Sequence, residues 1–242
     1  MLDPRLKGRL VVLSPHLDDA VLSLGATLAH AAESGSDVQI LTVFACATDS
    51  NAPTDEWDRK SGFATEGEAA QQRRREDETA CAILGVAPRW FDFGAEPYER
   101  HGSMQEVVSA VASATADADI VLMPGFPLAH ADHAALTNGL LSHGLSCRVG
   151  LYAEQPYSFD RSATPNGSVP EMPAARIRGG TLTWQRACAG HRHRQLKLRA
   201  VKQYVSQLPQ LGLRQLGHLR LRRMLWHEAR LGGETIAWPN AT

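Results

Sequence analysis

Two short runs carry the residue types of a hydrolytic metal site. Ser14-Pro15-His16-Leu17-Asp18-Asp19 presents one imidazole and two adjacent carboxylates between the apolar stretch Leu10–Leu13 and a helix-like segment, Val21 to Ala32. His130-Ala131-Asp132-His133 follows a second apolar run, Ile120–Met123. Strand-to-helix turns at the carboxyl edge of a parallel sheet are where α/β enzymes keep their chemistry, so both turns can sit at one edge. A hydrolytic metal needs about three imidazole or carboxylate ligands and one open position for water, whose pKa then falls to about 7. His16, Asp19 and His133 supply such a set: His16 and Asp19 are one helical turn apart, and His133 arrives from a distant segment. Zinc is the expected ion for two imidazoles and a carboxylate, and iron(II) suits the same donors.

Amide hydrolysis also needs a base that touches the water without being captured by the metal. Asp18 fits, since an ordinary carboxylate is deprotonated at neutral pH. A protonated His130 is expected either to face the carbonyl oxygen as charge builds there or to protonate the departing amine. Asp132, or another nearby acid, would orient that imidazole and raise its pKa. Taken singly, the first cluster reads more readily as a helix N-cap and the second as an exposed helix start; together, behind two strands and with complementary ligands, they read as one site.

The elements around these turns alternate. Apolar runs at Leu10–Leu13, Val38–Phe44, Trp90–Phe93, Ile120–Met123 and Val149–Tyr152 are expected strands. Helices are expected over Ala20–Ala32, Gly67–Leu84, Met104–Ala116, Asp132–Leu141 and Arg194–Tyr204. The second is the clearest, because Thr65 and Glu68 form a capping box and Gly85 ends it. This βα alternation predicts an α/β fold: a Rossmann-like, mostly parallel sheet flanked by helices, in a single domain over 1–242 with its core at about 9–208. Two long connections, 45–64 and 154–174, are expected to be substrate-binding loops. A Gly-Gly pair within Ala175–Ala187 suggests an appended hairpin, followed by a helical region.

With 242 residues and 43% hydrophobic content the chain can bury a full core. No stretch approaches the ~18 apolar residues of a membrane helix, and the charged start leads straight into a strand, so a soluble cytoplasmic protein is expected. Four scattered cysteines without a Cys-x-x-Cys pair point to reduced thiols. Net charge is only -1, yet Arg176–Arg230 holds thirteen Lys or Arg against one acid, Glu228. A basic third can steer anionic substrates, nucleic acid or membranes. Its bases are interleaved with Leu and Val at helical spacing, as solvated faces of ordinary helices, so neither nucleic acid nor membrane is expected as a partner.

The paired motifs resemble those of the PIG-L / LmbE-like family of metal-dependent N-deacetylases, Pro-His-Pro-Asp-Asp-Glu and His-x-Asp-His. They stand here as Pro15-His16-Leu17-Asp18-Asp19-Ala20 and His130-Ala131-Asp132-His133. Further similarity lies in Arg73-Arg74-Arg75-Glu76 with Leu84-Gly85, in Tyr152–Tyr157, and in Lys197 through Ala200 to Tyr204–Gln207. The resemblance implies a Rossmann-like fold and zinc-dependent removal of an N-acyl group, usually acetyl from a glucosamine-type sugar. It also implies His16, Asp19 and His133 as ligands, Asp18 as base and His130 as oxyanion stabiliser or acid. Leu17 and Ala20 depart from the family pattern at positions that are neither ligand nor base.

Family substrates include phosphatidylinositol-linked glucosamine, thiol-cofactor precursors and glycosylated antibiotics. A soluble N-acetylated glycoside or natural-product intermediate is the expected substrate here, with Arg73 or Arg74 a candidate sugar contact. Rival readings are an esterase or deacylase of a non-sugar substrate, and a catalytically silent sugar-binding or partner-recruiting protein. A nucleotide-binding protein would want a Gly-x-Gly-x-x-Gly loop, which Ser14–Gly25 lacks.

Overall fold

The structure, a computed structural model, describes residues 1–46, 49–94, 102–159 and 182–239. Seven strands form one sheet: β1 (Arg9–Ser14), β2 (Asp37–Thr42), β3 (Ala87–Trp90), β4 (Ile120–Phe126), β5 (Arg148–Ala153), β6 (Leu182–Ala187) and β7 (Glu234–Pro239). Their spatial order is β3-β2-β1-β4-β5-β7-β6. The first five run parallel, and β7 pairs antiparallel with both β5 and β6. The expected α/β class, with its mostly parallel sheet, is what the structure shows.

Among the described residues seven α-helices surround the sheet: α1 (Asp19–Glu33), α2 (Glu56–Lys60), α3 (Glu66–Leu84), α4 (Met104–Ala114), α5 (Ala131–His143), α6 (His191–Val201) and α7 (Gln215–Arg230). One core joins α1, α3, α6 and α7 to a sheet face through Leu22, Leu28, Cys81, Val201 and Met224. The other joins α4 and α5 to the opposite face through Val107, Val111, Leu136 and Leu140. Central strands covered on both faces need continuous apolar runs, and β1 and β4 have them. Each fully buried Leu or Ile contributes about 1.5–3 kcal/mol. None of the described helices is long and apolar enough to cross a membrane.

Several boundaries moved for physical reasons. β3 lies earlier than the apolar run Trp90–Phe93, because as an edge strand it is only half covered and carries no continuous apolar signal. Thr65 accepts the Glu68 amide at 3.2 Å, but Glu68 Oε2 reaches the Ala64 amide rather than that of Thr65, so the reciprocal half of the box falls one residue early. Gly85 ends α3 at φ 72°, a left-handed conformation that suits glycine. The connection 45–64 is not structureless, since it contains α2. Of the 154–174 connection, 160–174 lie outside the described residues.

The expected hairpin over 175–187 falls partly outside them too, and its described half, β6, pairs with β7. That strand lies beyond residue 208, inserted between β5 and β6. Gly125 is fixed by crowding: a Cβ there would stand 2.5 Å from Leu151 Cβ on β5.

Candidate metal centre and active site

β1 delivers the first motif and β4 the second, and their direct pairing brings both turns to one sheet edge. Ser14 shapes the first turn: its hydroxyl donates to the His16 carbonyl at 2.6 Å and accepts the Ala20 amide at 3.0 Å. The His16 amide donates to Asp19 Oδ2 at 2.8 Å, which folds Asp19 back over the start of α1. In the second turn His130 is the N-cap of α5, and its Nδ1 accepts the Asp132 amide at 3.2 Å.

Three donor atoms converge. His16 Nδ1 is 3.1 Å from His133 Nε2 and 3.5 Å from Asp19 Oδ2, and His133 Nε2 is 3.2 Å from that same oxygen. The opposite nitrogen of each imidazole meets a buried acid: His16 Nε2 is 3.1 Å from Asp132 Oδ2, and His133 Nδ1 contacts Glu154 Oε1. Carboxylates behind ligating imidazoles fix the tautomer and ring orientation in metal sites. The Glu154 carboxylate also accepts the Leu128 amide at 2.6 Å, bracing the loop that leads to His130.

The electrostatics favour positive charge at the point of convergence. Burial works against a protonated His133, yet Asp19 and Glu154 outweigh it and lift the imidazole to about 10. His16 is raised as well, its burial offset by hydrogen bonds to Asp132 and Asp19. Burial disfavours the Asp19 charge, but His133 and His16 hold it far below the usual carboxylate range. A proton shared among donors this close does a cation's work, so the donor set fits a divalent metal, two imidazoles and a carboxylate suiting zinc.

Asp18 is buried, and among the described residues its carboxylate makes no hydrogen bond. Burial first, and the neighbouring Asp19 charge second, raise it well above the usual range, so the expectation of an ordinary carboxylate changes: positive charge at His16 and His133 is what favours its ionised, basic form. His130 is 39% exposed at its side chain and stands edge-on to His16, with centroids 4.8 Å apart. It is lowered by burial and by the two other imidazoles. With Nδ1 accepting a backbone N–H, the ring is neutral and carries its proton on Nε2. The expectation of a protonated His130 oriented by Asp132 therefore changes: Asp132 Oδ2 is 3.9 Å from His130 and spends its short contact on His16.

Sequence reasoning assigned no role to Glu154 or Tyr157, though both lie in the Tyr152–Tyr157 run. The Tyr157 ring packs edge-on against His133 at 6.3 Å. The two arginines singled out as sugar contacts are engaged elsewhere, Arg73 with Asp58, and Arg74 with the Ala45 carbonyl and Asp92. Glu76 and Tyr204–Gln207 belong to one scaffold, where Ser206 Oγ donates to Glu76 at 2.7 Å and Tyr204 to Asp77 at 2.7 Å.

The chain is 32% identical over 182 residues to the 2'-N-acetylparomamine deacetylase of Streptomyces fradiae, a match covering 65% of this chain and 60% of that protein. The chain thus spans about three fifths of that curated relative. Among solved structures it resembles the zinc-inhibited form of a teicoplanin deacetylase, with TM-score 0.75, 28% identity and coverage of 96% and 97% of the two chains. It also resembles a deacetylase of the A40926 pseudoaglycone, with TM-score 0.77, 26% identity and 96% of each chain covered. The model of the PIG-L family, GlcNAc-PI de-N-acetylase, matches residues 11–143, a span that holds both His/Asp turns, and the chain belongs to that family.

Proposed function

We propose that this protein is a zinc-dependent N-deacetylase that removes an acetyl or related acyl group from a soluble amino-sugar glycoside or natural-product intermediate. The observation that carries this reading is the convergence of His16 Nδ1, Asp19 Oδ2 and His133 Nε2 beside a buried Asp18 whose carboxylate makes no hydrogen bond among the described residues. Those three residues would hold the zinc, which would supply the Lewis acidity needed to lower the pKa of water and polarise the amide carbonyl.

Asp18 takes the proton from the attacking water and delivers it to the nitrogen as the C–N bond breaks, so one amide and one water become one amine and one carboxylate. His130 donates its Nε2–H toward the carbonyl oxygen as negative charge gathers there. Asp132 and Glu154 hold the two ligating imidazoles in register. The deacetylases acting on paromamine, teicoplanin and A40926 intermediates support an N-acetylated glycoside as the substrate class. The four unpaired cysteines support a reducing compartment, the cytoplasm.

The test is a panel of N-acetylated and O-acetylated glycosides incubated with zinc-loaded protein, reading free amine and acetate. Amine release from N-acetyl members is expected. Exclusive cleavage of O-acetyl members would make the protein an esterase, and silence across the panel would remove the catalytic reading.

A further inference from the structure

The outer face of α7 is unlike the rest of the described surface. Met1 aside, the large apolar side chains left exposed among the described residues are Val205, Leu219, Trp226 and Leu231, all within 205–231. Leu219 and Trp226 stand on α7 together with Arg222, Arg223 and Arg230, which are exposed as well. At 3.6 residues per turn these five share an arc of about 100°, while Leu221, Met224 and Glu228 point the opposite way into the core. Between 219 and 230 that arc holds no acid and no neutral polar residue.

Its charge has no counterweight. The only acid in 188–233 is Glu228, which is buried and paired with Lys197. Arg222, Arg223 and Arg230 form no ion pair among the described residues, and the Arg230 guanidinium lies over the Trp226 ring, 4.9 Å from its centroid.

Charge and layout together decide what such a face fits. An all-positive face repels a second copy of itself. Arginine forks match phosphate oxygens, two N–H groups at a time. Leu219 and Trp226 are separated by about 10 Å along the helix, with arginines between them, so the face lacks the continuous apolar centre that anchors a folded partner. A membrane interface asks for no such centre: each apolar side chain enters between headgroups on its own, tryptophan settles at that depth, and lipid phosphates move laterally to meet the arginines.

We propose that the outer face of α7 seats this protein on an anionic phospholipid surface, with Trp226 and Leu219 entering the headgroup region and Arg222, Arg223 and Arg230 binding lipid phosphates. The helical spacing that reads along the sequence as a solvated basic face is then the contact itself. None of the five residues belongs to the metal centre, so the proposal stands independently of the reaction.

The test sediments the protein with phosphatidylcholine vesicles and with vesicles carrying about one quarter phosphatidylglycerol, an anionic lipid. Each arginine beside an anionic surface is worth about fivefold in partitioning, so three predict ~100-fold tighter binding to the charged vesicles, fading as salt shortens the screening length. Arg222→Gln, Arg223→Gln and Arg230→Gln combined should erase that preference, and Trp226→Ser should weaken binding about tenfold. All four side chains are exposed, so every variant should keep the wild-type melting temperature. Brominated phosphatidylcholine mixed into the charged vesicles should quench tryptophan emission in the wild type and not in Trp226→Phe. Absence of binding to charged vesicles, equal binding to both kinds, binding that the arginine variant retains, or quenching that Trp226→Phe retains overturns the proposal. If polyglutamate or a DNA duplex binds through the same arginines while charged vesicles do not, the face belongs to an acidic protein or to nucleic acid. If vesicles fail and Trp226→Ser abolishes a concentration-dependent dimer, it belongs to a second copy. Either result rejects the membrane.

Discussion

The metal centre and the cluster around Lys197 are both buried gatherings of acids, and they solve the same problem in opposite ways. Around the converging imidazoles, Asp18, Asp19, Asp132 and Glu154 are each no more than 7% exposed. Among the described residues no lysine or arginine pairs with Asp18, Asp19 or Glu154; the centre instead draws a proton onto His133. Around Lys197 the cation is built in. Its ammonium donates to Glu228 at 3.0 and 2.9 Å and to Glu234 at 2.7 Å, and Glu234 also accepts the Ala26 and Thr27 amides of α1. Burying charge costs several kcal/mol per ion unless it is paired and hydrogen-bonded. A covalent cation makes a strut, here tying α6, α7 and β7 to α1. An open donor set makes a site that an exchangeable cation can enter.

If this contrast is right, the two clusters fail differently. Asp19→Ala or His133→Ala should abolish both bound zinc and turnover in a folded protein, as elemental analysis and acetate release will show, while His143→Ala, exposed at the end of α5, should change neither. Equal metal loss from His143→Ala would mean the ligands are misassigned. Asp18→Asn keeps shape and ligands but removes the base. Stoichiometric zinc with turnover down by roughly 10²- to 10⁴-fold is expected; loss of zinc would make Asp18 a ligand instead.

Lys197→Met strips the cation from two buried carboxylates and should cost about 3–5 kcal/mol of unfolding free energy by denaturant titration, a large share of the ~5–15 kcal/mol of an ordinary domain. Zinc affinity of the fraction still folded should stay the same. A stable Lys197→Met protein with weakened zinc binding would erase the distinction between strut and site.

His130→Ala should keep its metal and lose on the order of 10²- to 10³-fold in turnover, the scale of one oxyanion donor. Because the structure holds His130 neutral, with Nδ1 accepting the Asp132 amide, His130→Gln should leave the basic limb of the pH–rate profile where it is. A limb that moves or flattens would restore a protonated imidazole, and metal loss in His130→Ala would place it among the ligands, since its ring nitrogen lies within 4.8 Å of the other two. The smallest effect falls on Glu154→Gln, which should weaken zinc about 10- to 100-fold by releasing the His133 ring without touching a ligand.

Much of the scaffold could be read locally. The runs in β1 and β4, the Thr65 and Gly85 ends of α3, and the two His/Asp turns depend on neighbours a few residues apart, whose pattern and capping chemistry act over that range. β7 escaped because its place is set by pairing with β5 and β6, well separated in sequence, and α7 because its short apolar stripe is crowded by arginines.

By itself the sequence determined which residue types stand behind which strands: an imidazole with two carboxylates after β1 and two imidazoles flanking a carboxylate after β4. Only the tertiary structure decided their partners. It turned Asp132 toward His16 rather than toward His130 two residues away, and it brought Glu154, the residue after β5, to His133. It also buried Lys197 between acids 31 and 37 positions distant. Side-chain direction in the packed core, where unpaired charge is costly, chooses among candidates that spacing along the chain leaves equal.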